Sequence, residues 1–241
     1  MATFILIPGA LHGGWWYRPL TEGLRAAGHE AHPLTLTGVS ERGHVGAVGG
    51  VNLDVHVQDV LALLESERVT DAVLVAHSYG GMVASAVADR APERIAGLVH
   101  ADAFVPRDGE SAYAIANDVW KQRYLAGAAA GGGHTLVGRN PALDPRATVH
   151  PLASLLQPVT LTGAADALDV PRVYLHAQNF ADSPFLETYA RLRTDPAWTV
   201  HALPTGHDLV REAPEEFLRL TLTAAGRGTP GRRLPSLDSG I

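Results

Sequence analysis

The 241-residue sequence predicts an α/β fold, a mostly parallel twisted sheet flanked by helices. Three observations carry that expectation. Short, continuous apolar runs recur along the chain, as in strands covered on both faces. Segments with apolar residues at helical spacing lie between them. Two of the runs end in tight turns of small residues, Pro8-Gly9-Ala10-Leu11-His12-Gly13-Gly14-Trp15 and His77-Ser78-Tyr79-Gly80-Gly81.

The elements follow in order. A first strand covers 3–7, a helix about 17–27 closed by Gly28, and a second strand about 30–36. The polar loop 37–50 leads to a helix over about 53–65. Strand 72–76, helix 79–90 and strand 95–101 complete the first half. From Pro106 to about Leu168 the alternation breaks. Ala- and Gly-rich pieces at 126–133 surround helical stretches such as 113–124. Strand 172–177, helix 184–193 and strand 198–203 then resume the pattern. A helix over 214–224 follows, with Pro214 at its start and Glu215 and Glu216 in its first turn. Residues 1–105 and 169–225 thus read as a core domain, 106–168 as an insertion, and 226–241 as a disordered tail.

Chemistry concentrates at three loops. In Ala76-His77-Ser78-Tyr79-Gly80 the serine sits between a strand and a helix, with small neighbours that permit a sharp turn. That is the context of a nucleophile elbow, which projects a hydroxyl from the end of a strand. The glycine-rich loop after the first strand can present main-chain amides to an oxygen that becomes negative. By the usual arrangement the donors are the amides of Ala10 and Tyr79. After the last strand, Pro204-Thr205-Gly206-His207-Asp208 offers an imidazole whose ordinary pKa lies near neutrality, suited to taking the serine proton.

These three stretches together resemble the α/β-hydrolase superfamily, most of all the branch of plant methyl esterases, hydroxynitrile lyases and related bacterial carboxylesterases. The likeness runs to about residue 225 and is weakest in the middle. Pro8 stands where that branch has His, and Ala76 where it has Gly; neither position supplies a catalytic group. The resemblance implies an α/β-hydrolase fold whose insertion is a helical cap between the sixth and seventh strands. It also implies a serine hydrolase that cleaves a carboxylic ester through an acyl-enzyme, with Ser78 as nucleophile, His207 as base and no cofactor.

The acid of such a triad usually follows the strand after the cap, here near Asn179 or Phe180, and neither is a carboxylate. Two candidates stay open. Asp182 lies slightly farther along that loop. Asp102 ends the strand beside the nucleophile strand, where haloalkane dehalogenases place their acid, and is preferred. The cap and the core loops suggest Leu11, Trp15, Phe104 and Trp120 as substrate walls, with Tyr113, Tyr124, Leu152, Leu155 and Leu156 beside them. A small, mostly apolar or aromatic ester fits that lining. Other chemistries on this fold are a lyase, cyclase or decarboxylase of a biosynthetic, polyketide-like pathway, and a ligand receptor. Asp208 and Ala10 argue against a hydroxynitrile lyase, which carries Lys and Thr there.

Composition excludes several classes. A formal charge of −6 leaves no electrostatic footprint for nucleic acid. With no cysteine there is neither disulfide nor thiol chemistry, and no H-E-x-x-H spacing points to a metal. No run approaches the roughly 18 apolar residues of a membrane span, and the N-terminus lacks a basic signal region. Cytoplasmic residence and a small-molecule substrate are expected, with a homodimer as a candidate assembly. Lys121 is the only lysine among 19 basic residues, a bias typical of GC-rich bacterial genomes.

Overall fold

In the computed structural model of the chain, residues 1–46, 50–137 and 144–225 are described. The tail assigned to 226–241 lies outside them. Six parallel strands form one sheet in the order β2-β1-β3-β4-β7-β8. They are β1 (Thr3–Ile7), β2 (Glu30–Pro33), β3 (Ala72–Ser78), β4 (Ile95–Ala103), β7 (Arg172–Ala177) and β8 (Thr199–Leu203). The remaining strands, β5 (Thr135–Val137) and β6 (Val149–Pro151), pair antiparallel in a separate hairpin.

Alternation along each strand explains why the apolar runs are unbroken. Side chains two apart share a face. Ile5 and Ile7 of β1, with Leu74 and Ala76 of β3, meet helices α2 (Leu53–Ser66) and α3 (Gly80–Arg90) through Val57, Val60, Met82 and Val83. Phe4 and Leu6, with Val73, Val75 and Val99, meet α1 (Arg18–Ala26) and the helix Pro214–Thr223 through Leu20, Leu24, Phe217 and Leu220. A polar residue at any of these strand positions would be buried whichever way it faced.

Differences from the expected elements have local causes. β2 stops at Pro33, and the chain then turns into a loop pinned from α2. There Asp59 accepts the Thr37 amide at 2.7 Å and the Thr37 hydroxyl at 2.8 Å. The helix expected over 113–124 is two pieces, Ala112–Ile115 and α4 (Asp118–Ala130). Asn117 between them is extended and accepts the Trp120 amide at 3.0 Å, so it ends one helix and caps the next. No helix among the described residues is long and apolar enough to cross a membrane.

Two glycines after Ser78 let α3 approach the strand ends. A Cβ on Gly80 would collide with the Ile7 carbonyl, and one on Gly81 with the Phe104 carbonyl. Both obstacles are backbone. Gly81→Ala is therefore expected to destabilise the fold by about 3 kcal/mol, at the upper end for overpacking. A urea midpoint within error of the wild type would contradict this.

Candidate active site

Ser78 is the last residue of β3 and adopts φ +53°, in the left-handed region that non-glycine residues rarely enter. Its carbonyl accepts the Phe104 amide at 3.1 Å. The loop after β1 presses close from the other side. A Cβ on Gly9 would stand 2.8 Å from both Ser78 Cβ and His77 Nδ1, which is why this position needs glycine. Such strain at a half-buried hydroxyl that opens on a cavity is typical of functional positions.

Asp102 owes its placement to a β-bulge. His77 pairs with Ala101, but Ser78 pairs with Ala103, leaving Asp102 as the extra residue with φ +42°. The bulge re-aims the side chain. The carboxylate is fully buried. Its Oδ2 accepts His207 Nδ1 at 2.6 Å, and its Oδ1 accepts the Ala177 amide at 3.2 Å. Burial pushes this carboxyl up. The His176 imidazole 3.6 Å away, with the hydrogen bonds from His207 and the Ala177 amide, outweighs that push and holds it below the ordinary aspartate value.

The loop that carries His207 is fastened at several points. The Asn179 amide group donates to the Pro204 carbonyl at 2.9 Å, and the Asn179 backbone N–H to the Thr205 carbonyl at 2.9 Å. The Gly206 N–H donates to Glu212 at 2.6 Å. His77 Nε2–H donates to the carbonyl of His207 itself at 3.0 Å. Phe180 stacks on the His207 ring, with centroids 4.4 Å apart and planes 15° from parallel. Asn179 and Phe180, which stand where the resembling branch carries its acid, thus hold the histidine loop and ring instead. Asp182 lines the same cavity but makes no contact with His207: its carboxylate is half-exposed and pairs with Arg123 at 3.4 Å, and its carbonyl accepts Trp120 Nε1 at 2.9 Å.

Ser78 and His207 open on one cavity of about 890 Å³, with Ala10, Leu11 and Tyr79 in its wall. No hydrogen bond joins Ser78 Oγ to His207 among the described residues. Such contacts are often long before substrate binds. Trp16, Trp120, Tyr124, Leu136 and Phe180 are among the apolar residues that line it. Trp15 and Phe104 do not line this cavity. Trp15 faces the other side of its loop, donating to Ser40 Oγ at 2.9 Å beneath the Arg146 guanidinium. Phe104 is buried edge-on against Phe185 in the core. Of the further residues suggested, Tyr113, Leu152, Leu155 and Leu156 are also absent from the wall.

Two histidines hold the loops in place, His12 from the cavity wall and His56 from the core. His12 Nδ1–H donates to the Ala10 carbonyl at 2.8 Å, fixing the peptide that follows Ala10. Burial lowers its pKa to about 4, so it is neutral at pH 7. His56 Nε2–H donates to the Thr37 carbonyl at 2.8 Å. Its Nδ1 therefore accepts the Tyr79 hydroxyl, also at 2.8 Å, and anchors that side chain in the core.

The sequence pattern of the alpha/beta hydrolase family matches residues 4–220. The chain belongs to this family. This alpha/beta hydrolase is similar to a carbendazim hydrolyzing esterase of Nocardioides sp. (strain SG-4G), with 36% identity over 90% of this chain and 97% of that one. It is also similar to methyl jasmonate esterase 1 of Vitis vinifera, with 33% identity over 43% of this chain and 40% of that one. Among solved structures, an extracellular alpha/beta-hydrolase from a Paenibacillus species superposes with a TM-score of 0.80. It has 22% identity and covers 94% of this chain and 100% of that one.

Sequence reasoning about this alpha/beta hydrolase missed Trp16, His12, Leu136 and Phe180 in the cavity wall. Trp15 and Trp16 are adjacent, and only the sense of the 3₁₀ turn Gly14–Tyr17 decides which one faces inward. Leu136 sits on a hairpin strand of three residues, too short to show an alternation.

Proposed function

We propose that Ser78, His207 and Asp102 form a catalytic triad that hydrolyses a carboxylic ester through an acyl-enzyme. The protein is an ester hydrolase of the alpha/beta hydrolase family. The observation that carries the triad is the 2.6 Å contact of His207 Nδ1 with a buried carboxylate, beside a serine on the same cavity.

The proton inventory follows from that contact. A carboxylate only accepts, so His207 Nδ1 carries the hydrogen and Nε2 keeps its lone pair. Nε2 takes the hydroxyl proton as Ser78 Oγ attacks the ester carbon. Asp102 stabilises the imidazolium that results. The amides of Ala10 and Tyr79 receive the oxyanion, and the start of α3 adds its positive dipole end there. His207 then protonates the leaving alcohol. Water, deprotonated by the same nitrogen, releases the acid and restores Ser78.

Substrate class is read from the wall. The wall is more apolar than polar, with tryptophan, tyrosine, phenylalanine and leucine side chains beside Arg123, Asp182, Asp208 and Glu212, and the space is large enough for a compact organic ester; this favours a mostly apolar or aromatic acyl or leaving group. The near full-length likeness to an esterase named for carbendazim hydrolysis supports a small molecule of that kind.

Labelling with a fluorophosphonate tests the reading directly. The probe is expected to add once per chain, on the peptide containing Ser78, as seen by mass spectrometry of a digest. Hydrolysis of p-nitrophenyl acetate should be lost in parallel. Labelling elsewhere, or none in a chain that turns the ester over, sinks the proposal.

A further inference from the structure

Asp102 has a second imidazole beside it. His176 on β7 brings its Nδ1 to 3.6 Å from Asp102 Oδ1, the oxygen that His207 does not use. That nitrogen is sealed from solvent and reaches no other partner. A lone pair there would face a carboxylate oxygen across a dry gap, so Nδ1 carries the hydrogen. The ring plane is set independently. It lies flat on Tyr189 of the helix Leu186–Leu192, with centroids 4.0 Å apart and planes 14° from parallel.

Why the acid needs such a neighbour follows from its backbone. A bulge residue at positive φ has no ladder on either side of it to fix its side chain, and Asp102 leaves the sheet register at this point. One oxygen meets His207; the other has only the Ala177 amide at 3.2 Å and His176. We propose that His176 is a positioning residue for the triad acid: its N–H holds Oδ1, so that Oδ2 stays aimed at His207 and the carboxylate charge is shared between two imidazoles. This rests on the triad reading given above.

A pH consequence follows. The groups that face His176 are Asp102 from β4 and Tyr189 from the helix, with His207 across the carboxylate; Tyr174 on the same strand is coupled to Asp102 and to Arg191. Without the His176 N–H, the undivided carboxylate charge falls on His207, which then holds its proton more tightly. Were His176 itself charged, its loss would also remove a repulsion of the His207 imidazolium. Both routes move the His207 titration upward.

His176→Phe keeps the ring on Tyr189 and removes the donor. His176→Asn returns an N–H near the position of Nδ1 and gives up the stack. For His176→Phe, kcat on a p-nitrophenyl ester is expected to fall about tenfold with KM within about twofold of the wild type. The acid limb of kcat/KM, and the His207 midpoint in a ¹⁵N NMR titration, are expected to rise by about half a unit. His176→Asn should bring the midpoint back toward that of the wild type. A His176→Phe protein with wild-type kcat and midpoint overturns the proposal. So does equal loss of activity in both variants with the His207 midpoint unmoved, since a ring that only packs would give that pattern. If the Phe variant does not fold, His176→Leu is read in the same way. The titration needs no substrate, so a chain inactive on every ester would sink the triad reading while the midpoint still decides the role of His176.

Discussion

With Asp102 as the proposed triad acid, replacing it by Asn is expected to lower kcat for ester hydrolysis by about 10⁴-fold, the scale seen when a triad acid is converted to its amide. The reason lies in the hydrogen inventory. An amide NH₂ set against His207 Nδ1 donates where the carboxylate accepted, so the imidazole flips its tautomer and presents Nε2–H to Ser78. It can then no longer take the serine proton. KM should change little, because Asp102 is fully buried and does not reach the cavity. Asp182→Asn is the companion measurement. Asp182 pairs with Arg123 at 3.4 Å at the cavity rim, so its loss should cost less than about tenfold and leave the pH profile in place. The reverse ranking, a collapse at 182 and mild loss at 102, would move the acid to the other loop. The amide should keep the wild-type fold, since Asn has the same shape; circular dichroism and a melting curve check this.

A second large effect concerns acid. Burial holds the pKa values of His12, His56 and His100 near 4, and those of His77 and His150 well below the ordinary value. In the unfolded chain these residues titrate near 6.5. As pH falls below 6.5 the unfolded state takes up protons that the folded state refuses, so stability is lost on going down from 6.5 toward 4. At pH 5 the loss is about 2 kcal/mol for each of His12, His56 and His100, and His77 and His150 act in the same direction. The three alone reach the lower part of the 5–15 kcal/mol that a whole domain commonly has. The protein should therefore lose much of its stability by pH 5. Urea midpoints measured from pH 8 to pH 5 should fall steadily below about pH 6.5. A flat profile across that interval would mean that these histidines find solvent or partners in the folded state.

Much of this was readable in the residues, for reasons of periodicity. β1, β3 and α3 fall where apolar spacing places them, because burial on both faces of the sheet leaves few residue types admissible. The turn at Ser78 was legible from small residues whose role is steric: Gly80 and Gly81 meet carbonyl oxygens. The histidine loop was legible because a helix with its own N-terminal signals, beginning at Pro214, follows it closely. What stayed hidden depends on contacts between distant segments. Nothing in the strand Ile95–Ala103 announces that one residue steps out of register at Asp102. The separate pieces around Asn117 read as one helix because a capping side chain inside an Ala-rich stretch resembles an ordinary polar surface position. The cavity wall was read least well. Which of two neighbouring tryptophans faces it is settled by a single turn, and a stacked Phe180 has no local signature.

The hydrogen bond from His77 to the carbonyl of residue 207 has a mechanical result. β3, which ends at Ser78, and β8, which leads into the loop of His207, are separated in the sheet by β4 and β7, so a twist of the sheet would by itself shift one residue relative to the other. The ring next to Ser78 in sequence grips the peptide of the histidine and sits sandwiched between Trp16 and the imidazole, at 4.2 and 4.3 Å. The residue beside the Ser78 hydroxyl is thereby tied directly to the backbone of His207, a link that does not pass through the two intervening strands.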